Sequence, residues 1–224
     1  MRVAVLIPVL NEEAALPHVL RGLPSDLRVV VCDNGSTDRS VALAREGGAE
    51  VVSAPRRGYG LALLTGLAHL RRTGPPDAIV ICDGDHSVDP NDFPALLEPL
   101  LQERADLVIG DRTLLASPGS MPPQQVWGNV LATTVIRLQT GFRFNDMGPF
   151  RAIRWASIES LGMEDTNYGW NVEMQLKAVR LGLRIVEVPV QNWPRIGKSK
   201  VSGSLRGATH AGTKILWSCW RYRR

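Results

Sequence analysis

Ala78-Ile79-Val80-Ile81-Cys82-Asp83-Gly84-Asp85-His86-Ser87 is the stretch that decides the fold. Ala78 to Cys82 is a short, apolar, β-branched run, with the length and composition of a buried parallel strand. It stops abruptly at two carboxylates separated by one glycine. Ligands of open α/β sheets lie beyond the carboxyl ends of the strands, so Asp83 and Asp85 are expected in such a crevice. Two hard oxygen donors at this spacing, with Gly84 permitting close backbone approach, suit a divalent cation bridging phosphate oxygens. Acidic pairs at strand ends are also common surface decoration, so the neighbouring strands decide between the two readings.

Working outward, the same pattern recurs. Val3 to Ile7 reads as a strand stopped by Pro8, and Asn11-Glu12-Glu13 as the cap and acidic first turn of a helix running to about Leu23. Val29 to Cys32 is a second strand, ending in Asp33-Asn34-Gly35-Ser36-Thr37-Asp38, a polar turn that opens onto a helix. Val51-Val52 follows as a short strand, then Arg57-Gly58-Tyr59-Gly60 and an apolar helix. After the Asp-Gly-Asp strand come a helix over about 91–103 and a strand from Leu107 to Gly110 that ends at Asp111-Arg112. Further on lie helices over about 125–140 and 171–181, and a late strand from Ile185 to Val190. Strand and helix alternate through short links, the pattern of a parallel sheet wound by right-handed crossovers. Polar groups recur at one end of each strand, which implies a single crevice suited to a nucleotide with a metal ion.

The 224 residues suffice for one substantial core, and 44% hydrophobic with 21% charged residues is an ordinary globular balance. No apolar run reaches the length of a membrane span, and the first residues read as a strand with no signal peptide. Cys32, Cys82 and Cys219 lack metal spacing and read as free thiols of a reducing cytoplasm. Gly58 and Gly60 do not form a dinucleotide-binding fingerprint, and Gly197-Lys198-Ser199 lacks the earlier glycine of a P-loop. These absences argue against dehydrogenases and P-loop enzymes. The net charge of +4 is unevenly placed: after Glu187 there is no acidic residue but eight basic ones, leaving 18 basic against 22 acidic residues elsewhere. A basic tail on an acidic body points to an anionic partner, whether nucleic acid, anionic lipid or a phosphorylated substrate.

Taken together, Ile7-Pro8-Val9-Leu10-Asn11-Glu12-Glu13, Asp33 to Asp38, Arg57 to Gly60 and Asp83-Gly84-Asp85 resemble the donor-binding half of family 2 glycosyltransferases of the GT-A fold. Gly110-Asp111-Arg112, Asp146-Met147-Gly148-Pro149-Phe150-Arg151, Tyr168 to Met174 and Arg195-Ile196-Gly197-Lys198-Ser199-Lys200 resemble the polyprenyl-phosphate sugar synthases, such as the dolichyl-phosphate mannose synthases. The chain departs from those synthases at Ser87, at Gln124 to Trp127 and within the Asp146–Arg151 motif.

The resemblance implies a single α/β domain, a Rossmann-like, mostly parallel sheet with flanking helices, over residues 1–200. Residues 1–112 form its nucleotide-sugar half, 113–200 its acceptor half, and 201–224 a basic, amphipathic tail. Pro8, Asn11, Glu12, Asp33 and Ser36 would hold the base and ribose of a UDP- or GDP-hexose. Arg57 and Gly58 would close over the nucleotide, and Asp83, Gly84 and Asp85 would present Mg2+ or Mn2+ to its diphosphate. Arg112, Arg195, Lys198, Ser199 and Lys200 would face the phosphate of a polyprenyl acceptor.

The activity implied is inverting transfer of a hexose, by a cytoplasmic protein that meets the inner face of the membrane through its tail and binds no nucleic acid. The rival is a hydroxyl acceptor, for which Asp146 or Glu173 would serve as base. His86 reads as an exposed loop residue. Trp217 and Trp220 suit either packing on the body or a membrane interface.

Overall fold

The computed structural model describes residues 1–197, 217–218 and 220–222. Lys198, Ser199, Lys200 and most of the expected tail helix therefore lie outside the described residues. Seven strands form one sheet in the order β3-β2-β1-β4-β6-β5-β7. They are β1 (Val3–Val9), β2 (Arg28–Asp33), β3 (Glu50–Ser53), β4 (Ala78–Ile81), β5 (Leu107–Ala116), β6 (Arg151–Arg154) and β7 (Ile185–Asn192). The helices are α1 (Leu16–Gly22), α2 (Ser40–Glu46), α3 (Tyr59–Thr73), α4 (Phe93–Leu101), α5 (Pro123–Thr140), α6 (Trp155–Leu161) and α7 (Trp170–Arg180).

Alternation along the strands sends successive side chains into two cores. Leu6 of β1 with Ile79 and Ile81 of β4 face Leu63 and Leu67 of α3, and Trp170 and Leu176 of α7. Val5 and Ile7 with Val80 face Leu16 of α1 and Phe93 and Leu96 of α4. All four residues of β4 are buried. Covered on both faces, a strand reads as a continuous apolar run, and that is why β4 is legible without alternation.

The chain winds outward through β1, β2 and β3, then crosses back to place β4 on the other side of β1. That reversal is the switch point at which open α/β sheets bind ligands. It brings the residues after β1 beside those after β4.

Three expectations need correction. The helix after β1 begins at Leu16 and not near Asn11, with Pro17 in its first turn, where a missing N–H costs nothing. Asn11 takes a left-handed conformation (φ 55°), which asparagine tolerates. The strand from Leu107 runs on to Ala116, irregular between Asp111 and Leu115. Finally, β6 enters antiparallel between β4 and β5. Its four residues begin and end with arginine, so it lacks an apolar run to announce it.

Candidate active site

Two loops close the crevice beyond β1 and β2. The Asn34 N–H donates to Val9 O (2.8 Å), the Asn11 N–H to Ser36 Oγ (3.0 Å), and the Thr37 N–H to Asn11 Oδ1 (2.7 Å). Asp33 Oδ1 accepts the Ser36 N–H (2.9 Å). Asn11, Asp33 and Ser36 thus hold each other at the sheet edge, with Pro8 paired in register beside Cys32. Glu12 is buried, its N–H donating to Ser40 Oγ (2.8 Å) while its carboxylate faces the crevice.

Asp83 and Asp85 stand opposite, after β4. A Cβ at Gly84 would lie 2.9 Å from Val9 Cγ2, so only glycine lets this turn lie across the end of β1. Asp85 Oδ1 accepts the Ser87 N–H (3.1 Å). Asp83 Oδ1 accepts from the Tyr59 hydroxyl (3.3 Å). Burial, and then the neighbouring Asp85 carboxylate, push the Asp83 carboxyl up to about 7. A buried carboxyl that resists ionisation beside a second carboxylate is chemically short of positive charge, which a divalent cation would supply. Among the described residues no cluster of three His, Cys, Asp or Glu forms. A pair alone would leave such a cation to take its remaining oxygens from phosphate and water.

Arg195 reaches into the same space. Its Nη2 donates to Glu12 Oε1 (2.8 Å) and its Nη1 lies 3.4 Å from Asp85 Oδ2, so one guanidinium spans the two sides of the crevice. The loop that carries it is tied to the acidic turn, the Trp193 N–H donating to Ser87 O (2.8 Å) and the Ile196 N–H to Asp85 O (3.0 Å). His86 is a partner in this loop: its ring stacks on Trp193 (5.2 Å) and meets His18 edge-on (5.5 Å). It is half-buried, where the sequence suggested exposure.

The third wall is the start of α3. The Gly58 N–H donates to Asn34 Oδ1 (2.6 Å). A Cβ at Gly58 or Gly60 would sit 2.3 Å from Thr166 O or 1.9 Å from Asp165 O, so both glycines exist for close backbone packing. That packing delivers Tyr59 to Asp83. Arg57 is exposed beside Gly35, at the rim. Sequence reasoning gave Tyr59 and Asn34 no role; the signal available was an aromatic residue held between two glycines.

The remaining candidates are buried in pairs. Arg112 Nε and Nη2 bind both oxygens of Asp146 (2.7 and 2.8 Å), and Asp146 also accepts the N–H groups of Arg112 and Met147. Burial opposes the charge on Asp146, but Arg112 beside it outweighs this and holds the carboxyl below its ordinary range. Glu173 is fully buried, accepting the Glu164 and Asp165 N–H groups (2.8 and 2.7 Å) and the Lys177 ammonium (2.7 Å). Arg151, also fully buried, donates to Gly148 O, Asn171 O and Gln175 Oε1.

Comparison with known proteins gives matches over most of the chain. The family model described as Glycosyl transferase family 2 matches residues 4–161. An uncharacterized glycosyltransferase of Mycobacterium tuberculosis (strain H37Rv) is 41% identical over 211 residues, covering 92% of each chain. The undecaprenyl-phosphate mannosyltransferase of Micrococcus luteus is 32% identical, covering 100% of this chain and 99% of its own. Among solved structures, glucosyl-3-phosphoglycerate synthase from M. tuberculosis, in complex with Mn2+, UDP-glucose and phosphoglyceric acid, superposes with a TM-score of 0.79. It is 24% identical and is covered over 79% of its length by 99% of this chain. At that identity the likeness shows a shared fold, the GT-A fold anticipated from the motifs.

Proposed function

The chain belongs to glycosyltransferase family 2, and on that premise we propose that it moves a hexose from a UDP- or GDP-linked donor onto a polyprenyl phosphate, with inversion. Glu12, Asp33 and Ser36, at the ends of β1 and β2, would receive the base and ribose, with Arg57 closing from the rim. Asp83 and Asp85 would hold Mg2+ or Mn2+, which supplies positive charge to the departing diphosphate. The Mn2+ and UDP-glucose held by the solved neighbour support that assignment. Tyr59 orients Asp83. Arg195 and Arg112 would face the acceptor phosphate, whose oxygen bonds to the anomeric carbon as the bond to the diphosphate breaks on the opposite side.

One observation carries the choice of a phosphate over a hydroxyl. The two acids that could act as base, Asp146 and Glu173, are fully buried and already engaged at both oxygens. A hydroxyl acceptor needs a carboxylate free to take its proton, whereas a phosphate is already an oxyanion at neutral pH. The name of the M. luteus relative points the same way. The test is to incubate the purified protein with a panel of nucleotide sugars and Mn2+, adding either a polyprenyl phosphate or soluble hydroxyl acceptors. Nucleoside diphosphate released only with the prenyl phosphate, together with a lipid-linked sugar, is the expected result. Release driven by hydroxyl acceptors and not by the prenyl phosphate would refute it.

A further inference from the structure

Helix α5 is apolar on two sides. Asn129, Ala132 and Ile136 are buried against the body, and the side-chain amide of Asn129 binds Asn145 O and the Met147 N–H, fixing the helix beside Asp146. Val126, Trp127, Val130 and Leu138 face the other way and are 44%, 71%, 56% and 81% exposed. Spacings of four (126 to 130) and eleven (127 to 138) return these residues to one side of a 3.6-residue helix. A helix that is apolar all round is ordinarily covered on both sides. From Arg112 to Asn145 the chain contains no Asp or Glu, and its exposed charges are Arg137 and Arg143.

We propose that this outer face of α5 seats the protein on an anionic bilayer. An exposed tryptophan among aliphatic residues, with arginine and no carboxylate in the same segment, is the composition that settles at a lipid interface. Anionic head groups complement Arg137 and Arg143. A two-fold pairing of the same face in a second copy would oppose its arginines and bring no acid from this segment to neutralise them. Among the described residues no helix is long and apolar enough to cross a membrane, and the contact proposed is with one face of α5. The proposal rests on the polyprenyl-phosphate reading in one respect: the opposite side of the same helix packs beside the Arg112–Asp146 wall, where a lipid-borne phosphate would arrive.

The experiment compares the full chain with the Trp127→Ser/Leu138→Ser variant in vesicle flotation. Vesicles are phosphatidylcholine alone or with one-fifth phosphatidylglycerol, and both exposed positions tolerate serine without loss of core. Wild type should float with the anionic vesicles and the double variant at least roughly tenfold more weakly. Part of that difference should survive 0.5 M salt, which screens charge and not apolar burial. Both proteins should turn over a short, water-soluble prenyl phosphate equally. Equal flotation of the two proteins overturns the proposal, as does failure of wild type to float. So does a wild-type dimer in solution that the double variant converts to monomers. If flotation falls as expected while no prenyl phosphate of any length accepts sugar, the seat stands and the acceptor reading fails.

Discussion

Burial, and then the neighbouring Asp85 carboxylate, make ionising Asp83 costly, a cost the proposed cation would relieve. Asp85→Asn keeps the size of the side chain and removes a charge. Donor turnover should fall roughly a thousandfold, the scale of several kcal/mol of lost charge stabilisation, with an unchanged circular dichroism spectrum. Near-wild-type turnover in the variant would exclude Asp85 from the reaction. Gly60→Ala tests the wall opposite. A methyl group 1.9 Å from Asp165 O must push the 165–166 backbone away, at about 1–3 kcal/mol. Thermal denaturation should show the Tm lowered by roughly 2–12 °C, and an unchanged Tm would mean this packing is looser than described. Glu173→Gln separates a structural role from a base. It should lower Tm and leave kcat within a few-fold, whereas a base would lose about a hundredfold or more in kcat at unchanged Tm.

The elements divide by how their burial is written in the chain. β4 and β1 are buried on both faces and advertise themselves as unbroken apolar runs, so the sheet and the polar ends of its strands were legible from residues alone. β6 was not, because its arginines are satisfied by tertiary contacts that no local pattern records: Arg151 by carbonyls of Gly148 and Asn171, Arg154 by Leu100 O and Ala105 O. The start of α1 was misplaced for a similar reason. Asn11 has the chemistry of a cap, but it spends its side chain on Thr37, twenty-six residues away. The acids at the crevice could be named from the sequence. Their partners could not, since Arg195 meets Glu12 across 183 positions and Tyr59 meets Asp83 through the packing of two glycines.

Where strands β2 and β3 meet α3, Glu50 joins Arg28 and His69. The hydrogen bond from Arg28, against partial burial and with help from His69, holds the Glu50 carboxyl down at about 2. Its folded pKa is thus below its unfolded one, so the stability it contributes is complete above about pH 4.5 and disappears as pH falls toward 2. The group is half exposed, so the contribution is small, under about 1 kcal/mol. The Tm gap between wild type and Glu50→Gln should therefore narrow steadily from pH 5 to pH 2.5. A gap that widens on acidification would contradict the assignment.

Over the whole molecule, the edge proposed for the donor lies at the ends of β1, β2 and β4, the wall proposed for the acceptor is built on β5, residues 145–148 and α5, and Arg195 spans the crevice from Glu12 to Asp85. The buried Arg112–Asp146 pair is the rigid part of that wall. Asp146→Asn leaves a guanidinium buried without its counter-charge, so chemical denaturation should register a loss of about 3–5 kcal/mol. A loss below about 1 kcal/mol would show that the pair does not hold Asp146 and its neighbours against β5. The most direct test of the whole account is anomalous diffraction from a crystal grown with Mn2+ and a non-hydrolysable nucleotide sugar. The account predicts one manganese peak bonded to Asp83 or Asp85 and to the diphosphate, with Arg195 displaced from Asp85. Manganese and diphosphate bound elsewhere, with the Arg195–Asp85 contact intact, would contradict it.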